Sequence, residues 1–179
     1  MKLKEKYVKK VIPEMKKKFG YKNDLAVPKI IKVTISTGIG SKKDEKERVE
    51  EIKKSLSFIA GQNPKHNAAK KSIAGFKTRE GLTIGYSATL RGERMYDFLE
   101  KLINVTLPRV RDFKGLNKNL IDSKGNLTIG FKENTVFPET SGEDIRKAFG
   151  LGVTIVTNAK NKEEAFEMLS FLGLPFKKK

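Results

Sequence analysis

The stretch KKSIAGFKTREGLTIGYSATLRG, residues 70–92, decides the fold because its two halves follow different patterns. Residues 70–81 combine several lysines and one arginine with the single acid Glu80, and neither a helical nor a strand period runs through them. We therefore predict that this half is an irregular basic loop. The second half predicts a β-strand with one buried face and one polar face, because two sets of residues alternate strictly. The apolar set is Leu82, Ile84, Tyr86, Ala88 and Leu90, and the polar set is Thr83, Gly85, Ser87, Thr89 and Arg91.

Composition limits the possible functions. The chain has 179 residues, of which 38 are Lys or Arg and 21 are Asp or Glu, so its formal net charge is +17. Such an excess of positive charge favours an anionic partner, above all nucleic acid. The sequence contains no cysteine, which excludes disulfides and thiolate zinc sites. No apolar run approaches the ~20 residues that span a bilayer. We expect an intracellular protein that needs neither a membrane nor a homo-oligomer.

The other segments predict an α+β fold. Further strands are expected at residues 31–39, 127–131 and 153–157, with a short strand before the basic loop. Helices are expected at residues 3–19, 44–60, 93–107, 143–149 and 161–172, with Pro13 and Pro108 ending or kinking theirs. In the first helix, the stripe Val8, Ile12, Met15 and Phe19 is expected to face inward. We predict a single domain, residues 1–179, from which loop 70–81 projects. Its mainly antiparallel sheet has helices packed on one face and leaves the other face free for RNA.

The free face of the predicted sheet is small and polar. Gly38, Gly85 and Gly130 lie in or near strands, where glycine often marks the close approach of another backbone or a ligand. Short hydroxyl groups surround them, and Lys32, Arg91 and Lys132 are suited to contacting phosphates. A second basic cluster contains Arg109, Arg111 and Lys114. Since no aromatic residue lies on this face, stacking of single-stranded bases is disfavoured. The face instead favours a folded, largely double-stranded RNA.

Three other functions fit the sequence less well. An enzyme acting on RNA or nucleotides needs a convergent catalytic set, but the chain has one histidine, His66, and scattered carboxylates. The GIG at residues 38–40 lacks the remaining spacing of a nucleotide-binding loop. A membrane-surface protein needs a wider apolar helix face than residues 3–19 supply. We therefore expect no catalytic residue, cofactor or metal.

Several long segments resemble one known family. They are VPKIIKVTISTGIG, GQNPKHNAAKKSIAGFKTREGLTIGYSATLRGERMYDF, LPRVRDFKGL, GNLTIGFKE and FPE, and they run nearly from end to end of the chain. In these motifs the chain resembles the bacterial form of the 5S rRNA-binding family of large ribosomal subunit protein five. The resemblance implies an antiparallel sheet with helices on its convex side, placed in the central protuberance of the large ribosomal subunit in the cytoplasm. It also implies a structural role in translation rather than catalysis.

The resemblance implies partners and contact residues as well. The partners are 5S rRNA, large-subunit rRNA, peptidyl-site tRNA, neighbouring large-subunit proteins and a head protein of the small subunit, to which the family forms a bridge. By position in the matching motifs, the 5S rRNA contacts are Gln62, Thr89 and Arg91, and Lys32 and Ser36 join them on the sheet face. Ser36 stands where the family usually has asparagine.

The loop resembles the one that reaches the tRNA, with Lys70, Lys71, Ser72, Gly75, Phe76, Lys77 and Arg79 as contacts. Arg109, Arg111 and Lys132 are the further RNA contacts that we expect. The alternative is a general binder of structured RNA.

Overall fold

The computed structural model describes residues 2–40, 45–142 and 148–177. Within these residues, five strands form one sheet in the order β2-β3-β1-β5-β4. The strands are β1 (Ile30–Gly38), β2 (Lys65–Ala68), β3 (Thr83–Leu90), β4 (Leu127–Phe131) and β5 (Leu151–Thr157). The helices are α1 (Leu3–Lys6), α2 (Ile12–Phe19), α3 (Lys46–Ala60), α4 (Gly92–Lys101), α5 (Leu107–Arg109) and α6 (Lys162–Leu172).

Hydrogen bonds at the strand ends show that the sheet is antiparallel. The N–H of Asn158, just after β5, donates to the carbonyl oxygen of Lys29, just before β1, at 3.2 Å. At the other end of β1, Thr37 Oγ1 donates to the carbonyl oxygen of Gly150, just before β5, at 2.8 Å. The two strands therefore run in opposite directions. β2 also pairs antiparallel with β3, with Lys65 opposite Ser87. The predicted α+β fold with an antiparallel sheet is confirmed.

The described chain divides into two compact units, each with buried apolar residues. The first unit comprises Met1–Val33, Leu90–Ile129 and Thr154–Lys179, and the second comprises Thr34–Thr89 and Gly130–Val153. Fully buried side chains of the first unit include Val11, Met15, Leu99, Leu102, Leu127 and Leu169. Those of the second unit include Ile35, Ile52, Leu56, Ile59, Phe137 and Val153. Burying a side chain of this size contributes roughly 1.5–3 kcal/mol to folding.

Two segments of π-helix adjust the helices to prolines. They are Tyr7–Val11 and Leu102–Thr106, and each ends two residues before a proline, Pro13 in α2 and Pro108 in α5. A proline inside a helix lacks an N–H, and its ring crowds the carbonyl group four residues back. The wider π turn accommodates this crowding. The chain therefore stays helical through Pro13 and Pro108, and the prediction that these prolines end their helices is corrected.

The structure also corrects the predicted burial of several apolar residues. The extra residue of a π turn shifts the inward stripe of the first helical segment, so Val11 is fully buried whereas Val8 is 57% exposed. Ile31, Leu82 and Ile84 are also exposed, by 46%, 36% and 40%. Alternation gives the side-chain direction along a strand, but it does not say how far a covering layer extends over that face.

Two sequence predictions lie outside the described residues. The helix expected at residues 143–149 falls largely on residues 143–147, and residues 41–43, which follow the GIG, lie in the other gap.

Candidate nucleic-acid interface

A shallow depression of about 330 Å³ lies in the second unit. Because several of its lining residues are glycines, main-chain groups form much of its surface, and another backbone has room to approach closely. Ser36, a predicted RNA contact, is half-buried at its edge. The lining residues are Ser36, Thr37, Gly38, Asn67, Ile84, Gly85, Gly150, Leu151 and Gly152.

The glycines on the polar side of the strands differ in what surrounds them. A Cβ on Gly85 would lie 2.5 Å from the carbonyl oxygen of Thr37, so β1 itself is the backbone that comes close to this residue. A Cβ on Gly38 or Gly130 would meet no heavy atom within 4 Å. Gly85 is therefore required by strand packing, whereas the approach of a ligand to Gly38 and Gly130 stays a prediction.

Two predicted contacts, Gln62 and Thr89, are hydrogen-bonded to each other. Gln62 Nε2 donates to the carbonyl oxygen of Thr89 at 3.1 Å, and both residues are half-buried. Nearby on the same pair of strands, Ser87 Oγ donates to Asn67 Oδ1 at 3.0 Å. These bonds fix the polar side chains at the β2–β3 edge, and they leave the hydroxyl group of Thr89 available for an RNA contact.

The basic loop is hydrogen-bonded at its base and near its tip. At the base, the N–H of Ala69 donates to Leu82 O at 2.8 Å and the N–H of Gly81 donates to Ala69 O at 3.0 Å. Near the tip, Ile73 and Thr78 form an antiparallel bridge with N–H to O distances of 2.9 and 3.2 Å. The prediction of an irregular loop is therefore corrected, because backbone pairing that has no sequence period stabilises it.

The tip of the loop displays an aromatic ring among cations. A short 3₁₀ turn, Ala74–Phe76, closes the tip, and Lys77 follows in the left-handed conformation with φ 48°. The Phe76 side chain is 73% exposed. All seven predicted tRNA contacts lie on the exposed surface: Lys70, Lys71, Ser72, Gly75, Phe76, Lys77 and Arg79.

The remaining predicted contacts are divided between the units. In the first unit, Lys32 is half-buried on β1, and Arg91, the extended residue that precedes α4, is exposed. Arg109 and Arg111 are also exposed there, whereas Lys132 is exposed in the second unit. Ser36, Gln62 and Thr89 therefore lie together in one unit, and Lys32 and Arg91 lie in the other.

Sequence reasoning missed several residues of these surfaces. Asn67, Gly150 and Gly152 line the depression, and Thr154 Oγ1 lies 3.2 Å from Thr128 Oγ1 in the first unit. The alternation of LGVTIVT already indicated that Gly152 and Thr154 share the polar side of β5. No sequence signal identified Asn67, because its role depends on a hydrogen bond to a residue 20 positions later.

The ionisable groups with shifted pKa values are not among the predicted contacts. Burial, with a smaller effect of Tyr96, raises the pKa of Tyr7 to about 12, and Tyr7 OH donates to Pro28 O at 2.9 Å. Among the described residues, no group of three or more His, Cys, Asp or Glu side chains is placed to hold a metal ion. No helix in the described ranges is both long and apolar enough to cross a membrane.

Comparison with protein families covers both halves of the chain. Residues 23–79 match the family described as Ribosomal protein L5, and residues 83–176 match the family described as the C-terminus of the same ribosomal proteins. The chain belongs to the ribosomal protein L5 family. The predicted family is thereby confirmed, and the L5 family is one of ribosomal constituents rather than enzymes.

Individual relatives match over nearly their whole length. The large ribosomal subunit proteins uL5 of Dictyoglomus turgidum and Dictyoglomus thermophilum are each 51% identical over 176 residues, 98% of this chain and 98% of theirs. The uL5 protein of a Thermoanaerobacter species is 49% identical over the same length and shares. As an L5 family member, the chain is a protein of the large ribosomal subunit, and it is located with ribosomes in the cytoplasm.

Proposed function

We propose that the chain binds 5S rRNA through the polar side of its sheet. The observation that supports this most directly is the depression beside Ser36, where glycines and short polar side chains expose main-chain groups. A surface of this kind suits the sugar–phosphate backbone of a folded RNA, because nothing bulky prevents close approach. Gln62 and Thr89 position polar groups in the same unit, and Lys32 and Arg91 supply charge in the other.

The basic loop contacts peptidyl-site tRNA in this proposal. Its cations provide charge-assisted contacts to phosphates, and the exposed ring of Phe76 can pack against a ribose or a base. The bridge between Ile73 and Thr78 reduces the conformational entropy that the tip loses on binding. The large-subunit neighbours and the head protein of the small subunit complete the partners that the proposal assigns.

A binding titration at several salt concentrations tests the 5S rRNA assignment. The full chain is titrated with 5S rRNA and with a structured RNA of equal length. Because any protein of net charge +17 binds RNA at low salt, the informative quantity is the preference that remains at physiological salt. We expect a preference for 5S rRNA of at least tenfold.

Two variants complete the test. Arg91→Ala removes one proposed 5S contact, and Lys54→Ala removes an equally exposed cation on α3. The first is expected to reduce the preference for 5S rRNA, and the second to leave it unchanged. If both RNAs lose affinity together as salt rises, the protein is a general binder of structured RNA and the 5S rRNA assignment fails.

A further inference from the structure

The final described segment of the chain is attached to residues far earlier in the sequence. The N–H of Leu116 donates to Pro175 O at 2.7 Å, and the N–H of Lys177 donates to Leu116 O at 2.9 Å. These bonds form a parallel bridge between Leu116 and Phe176 in the first unit. At Gly115, φ is +94° and a Cβ would lie 2.9 Å from the nitrogen of Lys177, so only glycine permits this approach.

Two aromatic rings support the same place. Phe166 on α6 and Phe176 have ring centroids 4.7 Å apart with an interplanar angle of 55°. The Lys118 ammonium group lies 4.9 Å from the centroid of the Phe166 ring, a cation–π contact. The segment around Leu116, the segment around Phe176 and one face of α6 are therefore held together by backbone bonds and ring packing.

This arrangement concentrates positive charge on one surface, the C-terminal lysine cluster, which we define as Lys114, Lys118 and Lys177. All three side chains are exposed, and within the described part of the chain none has a carboxylate oxygen within 4.0 Å. By contrast, Lys18 of the same unit lies 2.7 Å from Glu167 Oε1. Like charges that are clustered and not neutralised repel each other, and a polyanion relieves that repulsion.

We propose that the C-terminal lysine cluster binds the phosphate backbone of a folded RNA, as a surface additional to the sheet face and the basic loop. Lys114 and Lys177 emerge from adjacent backbones, and the position of Lys118 is restricted by the Phe166 ring. The cations are thus partly ordered before RNA binds, which reduces the entropic cost of forming several phosphate contacts together. The proposal does not depend on the identity of the RNA that the sheet face holds.

The test compares two triple variants of the full chain with equal charge. The cluster variant is Lys114→Gln/Lys118→Gln/Lys177→Gln. The control is Lys46→Gln/Lys53→Gln/Lys54→Gln, which removes three exposed lysines of α3. The affinity of each for a short RNA duplex of mixed sequence is measured as a function of salt, and amide NMR spectra follow the N–H groups of Leu116 and Lys177. Each phosphate contact contributes roughly 0.9 to the slope of log affinity against log salt.

We expect the cluster variant to lower that slope by about 2 to 3, and the control to lower it by less than about 1. In the parent chain, the RNA duplex should shift the amide signals of Leu116 and Lys177, whereas inorganic phosphate at the same ionic strength should not. Lys118→Arg, which keeps the charge and the ring contact, should bind like the parent even if Lys118→Gln weakens folding. Equal losses in the two triple variants, or unchanged amide signals in the parent chain, would overturn the proposal.

Discussion

The side-chain amide of Gln62 donates a hydrogen bond to the main-chain carbonyl oxygen of Thr89 at 3.1 Å. Gln62 directly follows Gly61, which ends α3 in the left-handed conformation with φ +67°. Thr89 is the penultimate residue of β3. The bond therefore ties the end of a helix to the strand that holds proposed RNA contacts, and Gln62 has a structural role whether or not it touches RNA.

Replacing Gln62 by alanine is expected to destabilise the protein. Loss of the bond should lower the free energy of unfolding by about 1 kcal/mol, because a partly buried carbonyl group loses its side-chain partner. Urea unfolding measures this loss, and Asn63→Ala, at the exposed next residue, is the matched control. Equal stabilities of the two variants would show that the bond contributes nothing to folding.

Alanine substitutions at two glycines separate strand packing from RNA approach. Gly85→Ala places a methyl group 2.5 Å from Thr37 O, so we expect it to lower the free energy of unfolding by about 1–3 kcal/mol. Gly130→Ala meets no atom within 4 Å and should fold normally. If RNA approaches Gly130 closely, this second variant should lose affinity for 5S rRNA. Full 5S affinity in a folded Gly130→Ala protein would remove Gly130 from the proposed contact surface.

The basic loop and the end of β3 should affect different RNAs. Lys77→Asn combined with Arg79→Gln removes two cations of the loop, and asparagine tolerates the left-handed conformation of Lys77. We expect weaker tRNA contact on the ribosome and unchanged 5S rRNA affinity. Arg91→Ala should instead weaken 5S rRNA binding by ~1–3 kcal/mol, since it loses a charge-assisted hydrogen bond.

Footprinting of tRNA on reassembled ribosomes and a 5S rRNA titration measure the two effects. A collapse of 5S rRNA binding in the loop variant would contradict this division between the loop and the sheet.

The turn that precedes β4 should make stability depend on pH. Asp122 Oδ1 accepts hydrogen bonds from the N–H groups of Lys124 and Asn126 at 2.9 and 2.7 Å, and Oδ2 accepts one from the Asn126 side chain at 2.9 Å. Partial burial raises the pKa of Asp122, but these hydrogen bonds to the charged form outweigh it, so the pKa lies below its ordinary value of 3.8. The charged carboxylate therefore stabilises the fold above pH 3.8, and this stability is lost as the pH falls through the lowered pKa.

Asp122→Asn removes that charge. We expect this variant to be less stable than the parent chain at pH 7, and the difference should shrink below about pH 4. Urea unfolding at a series of pH values measures it, and Ser123→Ala, at the exposed next position, should show no such trend. A difference that stays constant down to pH 3 would contradict the assigned role of the carboxylate.

The sequence predicted the sheet better than its local adjustments. Alternation identified β1, β3, β4 and β5, because in a strand the pattern of side chains follows directly from backbone geometry. It could not reveal the bridge between Ile73 and Thr78, which pairs backbone groups without any apolar period. Nor could it show that Gln62 reaches Thr89, since that contact joins residues 27 positions apart. The candidate contacts were named by type and motif, whereas their surroundings required the fold.

The strand order has a consequence for how the chain folds as it is synthesised. β1 ends at Gly38 and lies between β3, which begins at Thr83, and β5, which begins at Leu151. An emerging chain therefore exposes its central strand until segments about 45 and 113 residues further on have been translated. Such high contact order slows folding and leaves open strand edges for a long interval. The self-repulsion of a strongly cationic nascent chain opposes aggregation during that interval.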